Sequence, residues 1–115
     1  MNYQQLDNQV SVSGQITADD VVQLAASGIE VLVCNRPDGE AIDQTPFNEI
    51  SAAAQQAGLE IVNIPFSGGN LTESHVRAFS DVLGKGKRVH AYCRTGNRCT
   101  IIYQASRAMG DRAED

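Results

Sequence analysis

Two kinds of apolar pattern alternate along the chain. Ile29–Val33, Leu59–Ile64 and Val89–Tyr92 are short continuous apolar runs rich in β-branched residues. Runs of that length predict strands buried on both faces, as in a parallel sheet. Between them, apolar residues recur every three or four positions. Val21, Leu24, Ala25 and Gly28 form one such set, and Phe47, Ile50, Ala54 and Ala57 a second. Val76, Phe79, Val82 and Leu83 form a third, and Ile101, Ile102, Ala105 and Met109 a fourth. Each predicts a helix with one buried stripe. The punctuation agrees. Thr17 with Asp20 reads as an acidic capping box, Pro46 suits a first helical turn, and Thr72 caps the next helix. Gly28, Gly58 and Gly84-Lys85-Gly86 supply stops. Ahead of the first helix, Gln4–Leu6 and Val10–Ser13 flank the turn pair Asp7-Asn8, predicting a hairpin that Ser13-Gly14-Gln15 ends. Residues 110–115 are polar and are expected to fray.

Strands alternating with helices predict an α/β fold: a three-layer, mainly parallel sheet flanked by helices, with an N-terminal β-hairpin. Such sheets bind ligands beyond the carboxyl ends of their strands. Cys34 and Cys93 both stand at such ends. The 115 residues suit one domain over 1–115, and 42% apolar content can fill its core. A net charge of -5 argues against a nucleic-acid binder. No run approaches the ~20 apolar residues of a membrane span, and no secretory leader is visible, so the expected location is cytoplasmic. Three cysteines and two histidines show neither a disulfide framework nor zinc-ligand spacing. No metal or cofactor is expected.

The informative segment is Cys93-Arg94-Thr95-Gly96-Asn97-Arg98. A strand ends, a glycine-containing loop turns and a helix starts. The amides of Arg94, Thr95, Gly96 and Asn97 can point inward with the free amides of the helix. The helix dipole adds positive charge, and Arg94 and Arg98 are fixed cations nearby. Such a nest binds a small oxyanion and holds Cys93 as thiolate. A strand-end cysteine is more often inert packing. The coincidence of thiol, glycine, two arginines and a helix start argues for a nucleophile.

Cys93-x4-Arg98 in this context resembles the active loops of cysteine phosphatases and rhodaneses. Together, Val12-Ser13-Gly14-Gln15, Asn35-Arg36-Pro37-Asp38-Gly39-Glu40 and Ala91-Tyr92-Cys93-Arg94-Thr95-Gly96-Asn97-Arg98 resemble the beta-lactamase hydrolase-like protein family, or DUF442. The likeness spans residues 3 to 109. It implies a dual-specificity (cysteine) phosphatase-like fold with Cys93 and Arg98 as catalytic residues. Relatives include phosphatases and sulfurtransferases of sulfide oxidation, the latter linked or fused to persulfide dioxygenase-type proteins.

Three details weigh these activities. Phosphatases of this fold place five residues between Cys and Arg; here there are four, as in rhodaneses. The smaller ring suits a sulfane sulfur better than a phosphate ester. Phosphatases also draw a general-acid Asp from a preceding loop, and Pro65–Asn70 has no carboxylate. They carry His before the Cys, where Tyr92 stands here. Arg36, Asp38 and Gln15 are candidate substrate-binding residues, with Asp38 either a displaced general acid or a turn stabiliser. Cys99 replaces the usual hydroxyl donor after the loop Arg; as a weak donor it would leave Cys93 less acidic. Cys99 and Cys34 are candidate resolving thiols, with plain burial the alternative for each. His90 reads as a satisfied strand histidine and His75 as solvated. The expected function is a sulfurtransferase moving sulfane sulfur from an anionic donor, thiosulfate or a persulfide, through a Cys93 persulfide to a thiol such as glutathione. The alternatives are a phosphatase with a Cys93 phosphoenzyme, and a redox-sensing or sulfur-carrier module.

Overall fold

The computed structural model describes residues 1–113, and five strands and four helices lie among them. In chain order they are β1 (Tyr3–Gln5), β2 (Val10–Ser13), α1 (Ala18–Ala26), β3 (Val31–Cys34), α2 (Phe47–Gln56), β4 (Glu60–Asn63), α3 (Glu73–Gly84), β5 (Val89–Tyr92) and α4 (Asn97–Ala113). The sheet order is β1-β2-β5-β3-β4. Only β1 and β2 are antiparallel; every other pair is parallel. The hairpin turn forms because Asp7 Oδ1 accepts from both the Gln9 and Val10 amides at 2.7 Å.

The last strand in sequence, β5, lies at the centre between β2 and β3. All three are buried along their length. The two-residue alternation sorts their side chains onto two faces. Val10, Val12, Val31, Val33, Val89 and Ala91 pack with Phe79 and Val82 of α3 and Ile102 of α4. Leu32, Cys34 and Tyr92 pack with Val21 and Leu24 of α1 and with Ile50 and Ala54 of α2. A fully buried ring such as that of Phe79 stabilises its layer by about 2–3 kcal/mol.

Four expectations need correction. β4 is not a strand buried on both faces: it is the sheet edge, with Ile61 and Val62 half-buried and Asn63 exposed. Among the described residues no strand pairs on its outer side, so an apolar run alone does not distinguish edge from centre. Ile101 does not pack; it is exposed while Ile102 is buried, since adjacent helical residues point about 100° apart. Gly110, where irregular chain was expected to begin, is still within α4, which continues to Ala113; Glu114 and Asp115 lie outside the described residues. His75 is half-buried rather than solvated. Its Nδ1 accepts from the Thr72 amide at 3.0 Å, and its ring stacks on Phe66 with centroids 5.5 Å apart. It fills the position that Asp20 occupies in the Thr17 capping box of α1.

Candidate active site

Parallel strands deliver their carboxyl ends to one edge, so four connections converge there. Ser13-Gly14-Gln15 follows β2, Cys93–Arg98 follows β5, Asn35–Glu40 follows β3, and Ile64–Phe66 follows β4. Backbone bonds lace them together: Cys93 N–H donates to Ser13 O at 3.3 Å, Gln15 N–H to Arg94 O at 3.3 Å, and Asn35 N–H to Tyr92 O at 2.9 Å. Two glycines are required for this closeness. A Cβ on Gly14 would stand 2.8 Å from the Arg94 carbonyl oxygen. Gly96 turns the loop at φ +96, a conformation costly for any side chain, and also packs on Ser13.

That turn aims amides at the Cys93 sulfur. Gly96 N–H donates to Sγ at 3.0 Å, and the Thr95 and Cys99 amides point at it as well. The Cys99 thiol is turned toward the same sulfur and favours its thiolate most. Together they hold the Cys93 thiol down at about 5, although burial opposes this. Burial pushes Cys99 well above the usual thiol range, and its bond to Cys93 adds to that. One sulfur is therefore acceptor and the other donor. Cys99 was expected to serve Cys93 only as a weak donor; here it joins three amides in favouring the thiolate. Arg94, Thr95 and Asn97 are exposed around the mouth, while Gly96 is buried.

Arg98 leaves the first turn of α4 toward a partner that sequence reasoning passed over. Its Nη1 and Nη2 donate to the two carboxylate oxygens of Glu40, each at 2.7 Å, and Nη1 also donates to the Phe66 carbonyl at 3.1 Å. Nε–H and one Nη2–H remain, and the Cys93 sulfur lies against this guanidinium. Glu40 also accepts from Arg36 Nε at 3.0 Å. Arg36 is itself buried, and its Nη1 donates to Gln15 Oε1 at 2.9 Å. Arg98, and secondarily Arg36, hold the Glu40 carboxyl at about 2. Arg98 and Arg36, both expected to face substrate, each pair with a carboxylate of the chain itself, and Gln15 orients Arg36, while two N–H groups of Arg98 stay outside that pairing. The signal for Glu40 was its place in the Asn35–Glu40 segment, but an exposed turn glutamate has no pattern that marks it.

The remaining candidates separate. Asp38 Oδ1 accepts from the Phe47 amide at 2.9 Å, capping α2 across the loop. Cys34 lies on the α1/α2 face, in register with Tyr92, and its thiol donates to the Arg36 carbonyl at 3.2 Å. It is thus on the opposite face from Cys93 and Cys99. His90 is fully buried between Ser11 Oγ (2.7 Å from Nδ1) and Ser13 Oγ (2.8 Å from Nε2). Ser13 Oγ donates to the Gly14 carbonyl, so it accepts from His90 Nε2–H, and Nδ1 accepts from Ser11. Burial holds this histidine down at about 4, hence neutral, and the chain of bonds braces the Gly14 corner. Among the described residues no group of three or more His, Cys, Asp or Glu side chains could hold a metal ion. Among the described residues no helix is long and apolar enough to cross a membrane.

Residues 2–110 match the family described as beta-lactamase hydrolase-like protein, phosphatase-like domain. A beta-lactamase hydrolase-like protein of Agrobacterium fabrum is 30% identical over 110 residues, covering 95% of this chain and 26% of the relative. The chain thus spans about a quarter of the length of the curated relatives it matches. A phosphatase candidate of Neisseria meningitidis superposes with a TM-score of 0.83 at 34% identity, covering 91% of this chain and 75% of the other. The core catalytic domain of a PP-IP phosphatase from S. cerevisiae, solved with citrate, superposes with a TM-score of 0.62. At 14% identity, over 94% of this chain and 75% of that one, it shows the fold alone. The fold is that of the dual-specificity (cysteine) phosphatases.

Proposed function

Because this chain belongs to the phosphatase-like domain family of beta-lactamase hydrolase-like proteins, we propose that it is a cysteine-nucleophile enzyme whose substrate is a sulfane sulfur donor. The observation that carries the choice of substrate is the state of the carboxylates. Alkoxide departure from a phosphate ester needs a protonated acid near the nucleophile. Glu40 is held ionised between Arg98 and Arg36, and Asp38 is spent on the α2 amide. Sulfite and thiolates leave without a proton, so sulfur transfer does not require that acid.

In the first step the Cys93 thiolate attacks the outer sulfur of the donor. A Cys93 S–S bond forms, the donor S–S bond breaks, and the leaving group departs with the electron pair. The amides of Thr95, Gly96 and Cys99, which bond the Cys93 sulfur, are the donors nearest the negative charge of the persulfide formed there. The free Nε–H and Nη2–H of Arg98 face the departing group. In the second step an acceptor thiolate attacks the terminal sulfur, forming the acceptor persulfide and returning Cys93 as thiolate. Mass analysis after exposure to thiosulfate or glutathione persulfide tests this. One added sulfur on Cys93, removed by thiol and absent in Cys93→Ser, is expected. No adduct on the wild-type protein would sink the reading.

A second reading, phosphatase action through a Cys93 phosphoenzyme, is favoured by the family's phosphatase-like character and by the phosphatase fold. Without an acid it would be confined to esters with good leaving groups. Cys93-dependent phosphate release from an aryl phosphate, with no sulfur adduct, would establish it instead.

A further inference from the structure

A second thiol lies against the nucleophile, and the two transfer steps leave it unused. Cys93 and Cys99 are both free and fully buried, and both belong to the apolar cluster of Ala91, Phe66 and Ile102. The chain between them turns back at Gly96, at positive φ, and enters α4 at Asn97. That turn brings both the amide and the thiol of Cys99 to the Cys93 sulfur. Cys34 does not join the pair, since it packs on the α1/α2 face and bonds the Arg36 carbonyl. The pair also has a direction. Arg94, Thr95 and Asn97 are exposed around the mouth by which a donor enters, whereas Cys99 is held on the core side with Ile102. A nucleophile behind the Cys93 sulfur and a leaving group in front of it suit displacement at sulfur. A hydroxyl at position 99 would also donate to the thiolate. Only a thiol can go on to form a bond with it.

We propose that Cys99 is a resolving thiol that gives this chain a second activity, the reduction of a persulfide to sulfide. This rests on the sulfur-transfer reading, because it starts from the Cys93 persulfide. The Cys99 sulfur attacks the inner sulfur, Cys93 Sγ. The Cys93–Cys99 bond forms and the bond from Sγ to the outer sulfur breaks. The outer sulfur leaves through the mouth with the electron pair and takes up the proton of the Cys99 thiol. The sulfane sulfur is thereby reduced to hydrosulfide, and the two cysteines are oxidised to a disulfide. Two equivalents of an external thiol then reduce that disulfide by exchange and are themselves oxidised to a disulfide. Cys99 competes with an outside acceptor because it is already in place. Abundant acceptor thiol draws the outer sulfur away intact, and scarce acceptor leaves it to be released as sulfide.

The test follows wild type and Cys99→Ser by intact mass after one equivalent of thiosulfate or glutathione persulfide, with no thiol added. In the wild type the one-sulfur adduct is expected first, then to decay as free sulfide appears. In Cys99→Ser it is expected to persist, with sulfide release at least ~10-fold slower. Trypsin cuts after Arg94 and Arg98, so a Cys93–Cys99 bond joins two separate peptides and is read directly by mass. An adduct that persists equally in both proteins overturns the inference. The second arm uses one equivalent of methyl methanethiosulfonate, which puts a methylthio group on Cys93 as methanesulfinate leaves. Cys99 is expected to displace methanethiol in the wild type and form the same bond, while Cys99→Ser keeps the methylthio group. If the wild type takes no sulfur from either donor, the sulfur-transfer reading falls, and this arm alone decides whether Cys99 resolves Cys93. No Cys93–Cys99 link with any reagent overturns the inference.

Discussion

Cys34 and Cys93 end adjacent parallel strands, one residue apart in register, and both are buried. Their thiols are nevertheless opposites. Burial raises Cys34 above the ordinary thiol range, and its Sγ is a donor to the Arg36 carbonyl. Cys93 falls to about 5 because its sulfur accepts from Cys99 and from a ring of amides. Desolvation acts against the thiolate at both positions. What differs is the next turn of chain. After Cys34 the Arg36 backbone and the Tyr92 side chain meet the sulfur, too little to offset burial; after Cys93, Gly96 at positive φ and the start of α4 offer several N–H groups. A nucleophile is thus made by the direction in which the following peptide groups point.

The largest break in this comparison comes from removing each sulfur. Cys93→Ser is expected to lower turnover by at least ~10³-fold, and Cys34→Ser by no more than a few-fold. Equal losses would mean that the two thiols act together. Differential alkylation is the next sharpest test. At pH 7 Cys93 is nearly all thiolate and burial keeps Cys34 as the thiol, so iodoacetamide should label Cys93 at least ~10-fold faster. The sign follows from the lowered pKa: labelling of Cys93 should be flat above about pH 6 and fall as pH drops through about 5. Peptide mapping by mass reads both.

Gly96→Ala should make Cys93 resemble Cys34. Its positive φ predicts a loss of about 1–2 kcal/mol in denaturant unfolding, with a rise in the pH at which Cys93 ionises. Cys99→Ala should raise that pH with little change in fold, whereas Cys99→Ser keeps a donor and should leave it near wild type. If alanine and serine behave alike, the Cys99 thiol contributes nothing. A separate effect, on stability rather than reactivity, concerns His90. With its folded pKa near 4, below the unfolded value of about 6.5, the unfolded chain binds more protons between these limits. Stability should therefore fall as pH drops from about 6.5 to 4, by up to about 3 kcal/mol from this group, and His90→Asn should flatten that part of the curve.

Much of the architecture was legible because it is written in short range. The Thr17–Asp20 cap, the Asp7 turn, the stripe Val76-Phe79-Val82 and the β5–loop–α4 junction each depend on residues within a few positions. The edge position of β4 was not legible, since Leu59–Ile64 carries the same apolar run as a central strand. Nor was the half-burial of His75, which needs Phe66 from another segment.

The candidate site divides in the same way. By itself the sequence determined that a cysteine stands at a strand end before a glycine turn and a helix, and that chemistry centres there. Only tertiary structure decided how its charges are balanced. Glu40 lies 58 positions from Arg98, and Gln15 lies 21 from Arg36. Electrostatic energy depends on distance through space, and the parallel order of the strands, not spacing along the chain, brings these side chains to one edge.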